Sequence, residues 1–274
     1  MTSVQVTALP QLSRTLVDAG ALRIVLTDDP AAVVAAQQLR YEVFAAEPGF
    51  SDSIGDAGTR RDADRFDEFC EHLLAWHDDH GVIGCARLLP PPRAIAAGGW
   101  YSATEFDLSE LDEIGASTVE MGRACVLDGH RSGAVTALLW AALFRYLEES
   151  GYRHVIGSVS VPLAGPGVLA RGATLRGARD LLRDRHAAPW QVYPHIRGRV
   201  DGVLLDDITG PARVCLPPLM RAYLRLGAQV CGEPAVDEVF DVGDFLTVLD
   251  QRRANARYLD RLRDTVARLG GERG

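Results

Sequence analysis

Two hydrophobic periods alternate along the chain. LRIVLT (22–27) is a continuous apolar run of strand length, and Asp29 and Pro30 after it supply a helix cap and a first-turn proline. A helix is therefore expected across 30–46. Residues 47–65 are rich in Gly, Ser and Asp and read as a loop. EFCEHLLAWH (68–77) and VIGCARLL (82–89) are strand-like runs joined by DDHG, which predicts a hairpin that Pro90 to Pro92 then stop. STVEMGRACVL (117–127) reads as the next strand, 133–150 as a long apolar-periodic helix closed by Gly151, and HVIGSVSV (154–161) as another strand. A GPG turn and a basic helix-like segment follow. PPLMRAYLRLGA (217–228) reads as a short helix stopped by Gly227, FLTVL (245–249) as a strand, and 251–269 as an Arg-rich amphipathic helix. Strands paired early as hairpins, without regular βαβ alternation, predict a mixed α/β (α+β) fold with a largely antiparallel central sheet flanked by helices. The expected division is an N-terminal extension over 1–20, one domain over 21–250 and a C-terminal amphipathic helix over 251–274.

Composition narrows the function. The chain has 274 residues, 47% apolar, with net charge −8, so a sizeable core is available and nucleic acid is a poor partner. All 29 basic residues are arginine. Without lysine there is no P-loop, Schiff base or pyridoxal-phosphate site. Five cysteines, an odd number with no CxxC, suggest free and mostly buried thiols in a reducing compartment. The first residues lack a secretory pattern, and the longest apolar run, 134–144, is too short to span a bilayer. A cytoplasmic protein is expected, and peripheral contact with the inner face of a membrane is compatible with it. The seven histidines show no metal-ligand spacing, HDDH (77–80) reads as a turn, and no metal site is expected.

Charges inside apolar runs mark the candidate chemistry. Glu120 and Arg123 lie three apart in one strand, which places them on opposite faces unless a β-bulge intervenes. Gly122 between them is a bulge marker, and a bulge offers a backbone N–H for an oxyanion. A structural ion pair with a packing glycine satisfies the same pattern. The turn DGHRSG leads from this strand into a helix, whose N-terminus with Arg131 suits a phosphate, although ordinary strand–helix turns look alike. Arg40 and Arg87 also sit in apolar runs and need carboxylate partners, for which Asp64, Asp67 and Glu120 are available. Residues 171–199 hold seven arginines against two aspartates; a solvated face is the default, and docking of an acidic partner or anionic membrane is the functional alternative.

The order LRYEVF (39–44), DRFDEFCEHLL (64–74), VIGCARLLP (82–90), EMGRACV (120–126) resembles that of N-acylhomoserine lactone synthases. With GGWYSATEFDL (98–108) and the block 217–249, the chain resembles more closely the ornithine N-acyltransferases that make lyso-ornithine lipid, over roughly residues 22–249. The resemblance implies the GNAT acyltransferase fold and attack of an amine on an acyl thioester carried by phosphopantetheine, with no permanently bound cofactor. It implies a donor site at the backbone of 122–125 (Gly122, Ala124, Cys125) and at 128–135 with Arg131 and Gly133. RSGAVTA departs from the usual coenzyme A loop, which favours acyl carrier protein as donor and partner over acyl-CoA. Arg40, Phe44, Asp64, Asp67, Arg87, Glu120 and Arg123 match functional positions. Glu120 is expected to accept or orient the amine proton beside Arg123 as the catalytic pair; the arginines Arg40 and Arg87 would take an amino-acid carboxylate, and Asp64 or Asp67 its distal ammonium. The expected activity is acyl transfer to the α-amine of ornithine, the first step of ornithine lipid synthesis. Acylation of another amino acid or amine, as in a signal synthase, and a non-catalytic acyl-carrier or lipid-binding protein are the competing readings. Glu120 together with three arginines argues against the last.

Overall fold

The first helix starts where its cap residue places it. Asp29 Oδ1 accepts from the amides of Ala31 and Ala32 at 3.0 and 3.1 Å, and Pro30 occupies the first turn. The computed structural model describes residues 13–46, 55–131, 133–165 and 170–271. In chain order its elements are β1 (Arg14–Ala19), β2 (Leu22–Thr27), α1 (Pro30–Ala45), β3 (Glu71–His77), β4 (Gly81–Leu89), α2 (Pro91–Ala96), β5 (Phe106–Asp107), α3 (Asp112–Gly115), β6 (Thr118–Val126), α4 (Ala134–Ser150), β7 (His154–Pro162), α5 (Ala173–Arg185), β8 (Ala187–Pro194), β9 (Arg199–Val200), β10 (Val203–Leu204), α6 (Pro218–Leu226), β11 (Gln229–Gly232), β12 (Ala235–Asp237), β13 (Val242–Asp250) and α7 (Ala256–Gly271). Two compact units divide them, one of residues up to 98 with 119–153 and 256 onward, the other of 99–118 and 154–255.

In the first unit β1, β2, β3, β4 and β6 pair in that order, every pair antiparallel. Strand β1 lies in the stretch read as an extension; it pairs with β2 from Arg14↔Leu26 to Ala19↔Leu22, and its exposed polar positions hide the strand period. Helices cover both faces of this sheet. Cys85 and Leu74 pack with Ala32, Ala36, Leu39 and Val43 of α1. Gly84, whose neighbour Cys85 points to α1, turns the opposite way: a Cβ there would stand 3.0 Å from Val135 Cγ1 at the start of α4. Gly133 (φ +86°) precedes α4 and Gly151 (φ +75°) ends it, as their spacing predicts. Helix α7 packs on α4 and β1. It starts at Ala256, later than the amphipathic period suggests, because Asp250 caps a separate 3₁₀ turn over Gln251–Arg253.

In the second unit β7, β13, β11, β8 and β5 pair in that order, with β11 and β8 parallel and the other pairs antiparallel. Strand β7 runs against β13 in unbroken register from His154↔Asp250 to Pro162↔Val242. Helix α5 packs so close on β13 that a Cβ at Gly243 would meet Leu175 Cδ1 at 2.4 Å. The positive surplus of 171–199 is largely cancelled within this unit. Arg179 is buried and bonds Asp180, Asp206 and Glu233; Arg171 pairs with Asp241 and Asp201, Arg176 and Arg183 with Asp180, Arg185 with Asp184, and Arg197 with Asp206. Acids far along the chain therefore take up the charge that a local count leaves open, and Arg179 holds α5 in place. Among the described residues no helix is long and apolar enough to cross a membrane.

Candidate active site

Six charged side chains meet on the α1 face of the first unit. Asp67 is the hub. Its Oδ1 accepts from Arg40 Nη1 and Arg87 Nη1, both at 2.9 Å, and its Oδ2 from Arg40 Nη2 at 2.7 Å, Gln37 Nε2 at 3.1 Å and the Asp64 amide at 3.2 Å. The Arg40 fork is bidentate, the geometry that adds most to a charge-assisted bond. Arg87 Nη1 also donates to Asp64 Oδ1 at 2.7 Å. Arg40 and Asp67 are 1% and 4% exposed, so their polar atoms turn on one another rather than outward. Burial opposes charge on Asp67 and Arg40, but the ion pairs win: the Asp67 carboxyl is held well below the usual carboxylate range and the Arg40 guanidinium above its ordinary value.

Strand β6 brings Arg123, the last of the six, and adds Glu120 as a further charge. Gly122 stands opposite Arg87 and Cys125 opposite Cys85, so the single residue Ala86 faces both Arg123 and Ala124. This is a β-bulge, and it resets the side-chain phase so that Glu120, Gly122 and Cys125 share the face of Arg87 and Cys85. The bulge was expected at Gly122. It lies one residue further on, and the left-handed residue is Arg123 (φ +49°), an uncommon conformation for a residue with a Cβ. Arg123 Nε sits 3.3 Å from Asp62 Oδ2, and its Nη2 lies 3.7 Å from Asp64 Oδ2. Glu120 is 4% exposed, opposite Leu89, and its charge acts on the Cys70 thiol together with those of Arg87, Asp67 and Asp64. Burial pushes that thiol up to about 12, which leaves it inert.

Asp62 is the member the sequence reading missed. Its Oδ2 is 2.9 Å from Arg40 Nε, its carbonyl accepts from Arg40 Nη2, and its amide donates to Gln37 O at 3.1 Å. The only local sign was the D-x-D-x-x-D spacing of 62–67. Phe44 lies outside the charged cluster; half-buried on α1, it packs with Val82 and Leu127 against the Cys85–Cys125 core. Among the donor-site candidates Ala124 is exposed at the bulge, Cys125 Sγ lies 3.7 Å from Cys85 Sγ, Arg131 Nε donates to Val126 O at 3.2 Å, and Gly133 caps α4 without a side-chain bond. His77, His80 and His130 gather their rings at centroid distances of 4.7 to 6.2 Å, a proximity that chain spacing conceals. Among the described residues no group of three His, Cys, Asp or Glu side chains is arranged to hold a metal ion.

His72 ties the cluster to pH. Opposite Arg87 on β3, its Nε2 lies 3.1 Å from the Asp67 carbonyl, and burial lowers its pKa from 6.5. The unfolded chain then binds a proton that the folded one refuses, so stability from this group is present above about pH 6.5 and declines as pH falls toward the folded-state value, by at most about 1.4 kcal/mol per pH unit. An NMR titration is expected to place the His72 ring below 6.5; a midpoint at or above that value contradicts the neutral buried ring.

Residues 39–141 match the family model described as the acetyltransferase (GNAT) domain, the fold expected from the motif order. The chain is 32% identical over 251 residues to an L-ornithine N(alpha)-acyltransferase of Brucella abortus (strain 2308), covering 88% of each. It is 32% identical over 246 residues to one of Rhizobium meliloti (strain 1021), covering 86% of this chain and 82% of that protein. Among solved structures, a CoA-dependent acyl-homoserine lactone synthase with SAM and isopentyl-CoA covers 87% of this chain and 83% of its own at 16% identity, with a TM-score of 0.49.

Proposed function

Since the chain belongs to the L-ornithine Nα-acyltransferase family, we propose that it transfers a fatty acyl group, hydroxylated or not, from an acyl carrier protein thioester to the α-amine of ornithine, the opening step of ornithine lipid synthesis. The carrying observation is the relatives' name held over nearly the whole chain, joined to a buried site whose charges suit a doubly functional amino acid. Three arginines are matched by three aspartates, and Glu120 adds a further carboxylate. Charges of both signs suit a substrate that carries two ammonium groups and a carboxylate.

In this reading the α-nitrogen attacks the thioester carbonyl, the C–N bond forms as the C–S bond breaks, and the thiol leaves with a proton. An amino-acid amine is largely protonated near neutrality, so Glu120 receives its proton, directly or through water. The bulge backbone over 123–125 faces the developing oxyanion, and the start of α4 with Arg131 receives the donor phosphate. Arg40 and Asp67 serve as frame rather than as ligands, since they are spent on each other. Asp64 and Arg123, whose side chains are 24% and 29% exposed, are the members open to substrate, Asp64 for the distal ammonium and Arg123 for the carboxylate. Arg87 orients Asp64. The donor assignment rests on the degenerate loop RSGAVTA. Six of the seven arginines of 171–199 pair with acids and Arg199 donates to Gly202 O, which leaves little uncompensated positive charge there to draw a carrier.

The test is competition among ornithine, lysine, glutamine and glycine at equal concentration with hydroxyacyl carrier protein, the product nitrogen located by mass-spectrometric fragmentation. Ornithine acylated at its α-nitrogen is expected. Preference for glutamine or glycine, or acylation at the distal nitrogen, overturns the acceptor assignment; equal turnover of the acyl-CoA overturns the carrier assignment.

A further inference from the structure

We propose that Asp62 is a positioning residue that clamps the bulge of β6 in its working shape. The inference rests on the acyl-transfer reading for its consequence, though the clamp itself stands on geometry alone. Arg123 holds φ +49° in the middle of a strand, a conformation that L side chains adopt at a cost and keep only when their surroundings impose it. The contact that imposes it is an ion pair. The Asp62 carboxylate lies 3.3 Å from Arg123 Nε, and the same oxygen lies 2.9 Å from Arg40 Nε. Asp62 is itself fixed at three points, through its carboxylate and carbonyl to Arg40 and through its amide to Gln37 O. The loop before it is equally constrained. Asp56 and Arg61 bridge through their backbones at 3.0 and 3.4 Å, Asp56 Oδ1 caps the amides of Gly58 and Thr59, and a Cβ at Gly55 would collide with Arg61 O at 2.1 Å.

The direction of action follows. Helix α1 holds Asp62, Asp62 holds the Arg123 side chain, and Arg123 sets where the backbone of 123–125 points. Cys85 Sγ donates to Arg123 O at 3.7 Å from the neighbouring strand, a weaker second tether. Glycine would supply the left-handed backbone at no steric cost. An arginine there makes the bulge depend on a partner, so the acceptor-side acids and the donor-side backbone are built as one piece. Asp62 touches neither reacting atom and acts through Arg123.

The experiment uses the full chain with Asp62→Asn, Arg123→Gly, their double variant and Arg123→Ala. Two readouts are taken: amide hydrogen exchange over 122–126 without ligand, and KM for hydroxyacyl carrier protein beside KM for ornithine. Asp62→Asn is expected to speed exchange at 123–125 about tenfold and to raise the donor KM by a similar factor, while the ornithine KM shifts as well because the released Arg123 side chain is the one assigned to the carboxylate. On the Arg123→Gly background, Asp62→Asn is expected to change neither exchange nor donor KM further, because glycine keeps the bulge unaided. Equal effects in both backgrounds, or a donor KM and exchange that stay at wild-type values in Asp62→Asn, overturn the clamp. Should Asp62→Asn fail to fold, the comparison at 123 decides: Gly is expected to keep wild-type exchange and Ala to lose it, and matching behaviour of the two overturns the proposal. The exchange measurement needs no turnover, so a failed acyl-transfer assay would sink the functional reading and leave the clamp to be judged separately.

Discussion

Glu120→Gln is expected to lower kcat by about 10²–10⁴ while leaving the donor KM and the thermal midpoint close to wild type. The substitution keeps size and hydrogen-bonding reach and removes only the capacity to take a proton. Glu120 is 4% exposed and lies on the face of the sheet that carries Arg87, so in the proposed reading it is available to the α-amine of an ornithine whose distal ammonium and carboxylate are held by Asp64 and Arg123. Loss through kcat alone distinguishes a proton acceptor from a residue that merely binds ornithine, whose removal would raise KM instead. Wild-type turnover in a folded Gln variant would remove Glu120 from the chemistry and leave the bulge backbone and solvent as the remaining agents.

Asp67→Ala is expected to destabilise the fold by about 3–5 kcal/mol, a large part of the roughly 5–15 kcal/mol that holds a domain together. The carboxylate receives two bonds from Arg40, one from Arg87 and one from Gln37. Its removal leaves two buried guanidinium groups short of a counter-charge, and such uncompensated burial costs more than the pair gains by forming. Urea midpoints at pH 7 check this, and a change under about 1 kcal/mol would show that the cluster is not held by Asp67. The same linkage governs acid. The folded-state pKa of Asp67 is depressed below the unfolded value of 3.8, so its stabilisation is complete above that value and is lost as pH falls through the folded value. In Asp67→Ala that part of the acid sensitivity is expected to vanish, which a pH series of melting curves reads directly.

Much of the architecture was legible in the residues. Asp29 with Pro30, the DDHG turn, and Gly151 and Gly227 as stops mark α1, the β3–β4 hairpin, α4 and α6 because caps, turns and periods act over a few residues. The charges embedded in apolar runs, Arg40, Arg87, Glu120 and Arg123, announced a buried polar site for the same local reason. Sequence alone could not decide which charge meets which. Arg40 meets Asp67 and Asp62; acids far along the chain, Asp206, Glu233 and Asp241 among them, pair with arginines of 171–199; and β1, β8 and β11 become strands only because a neighbour offers them a ladder. Gly122 pointed to a bulge, but its position one residue further on, with Arg123 as the left-handed residue, emerges only from the register of β6 against β4. Side-chain ion pairs and strand partners depend on distances that only the closed fold creates, and a one-residue change of strand phase costs too little locally to leave a mark in the chain.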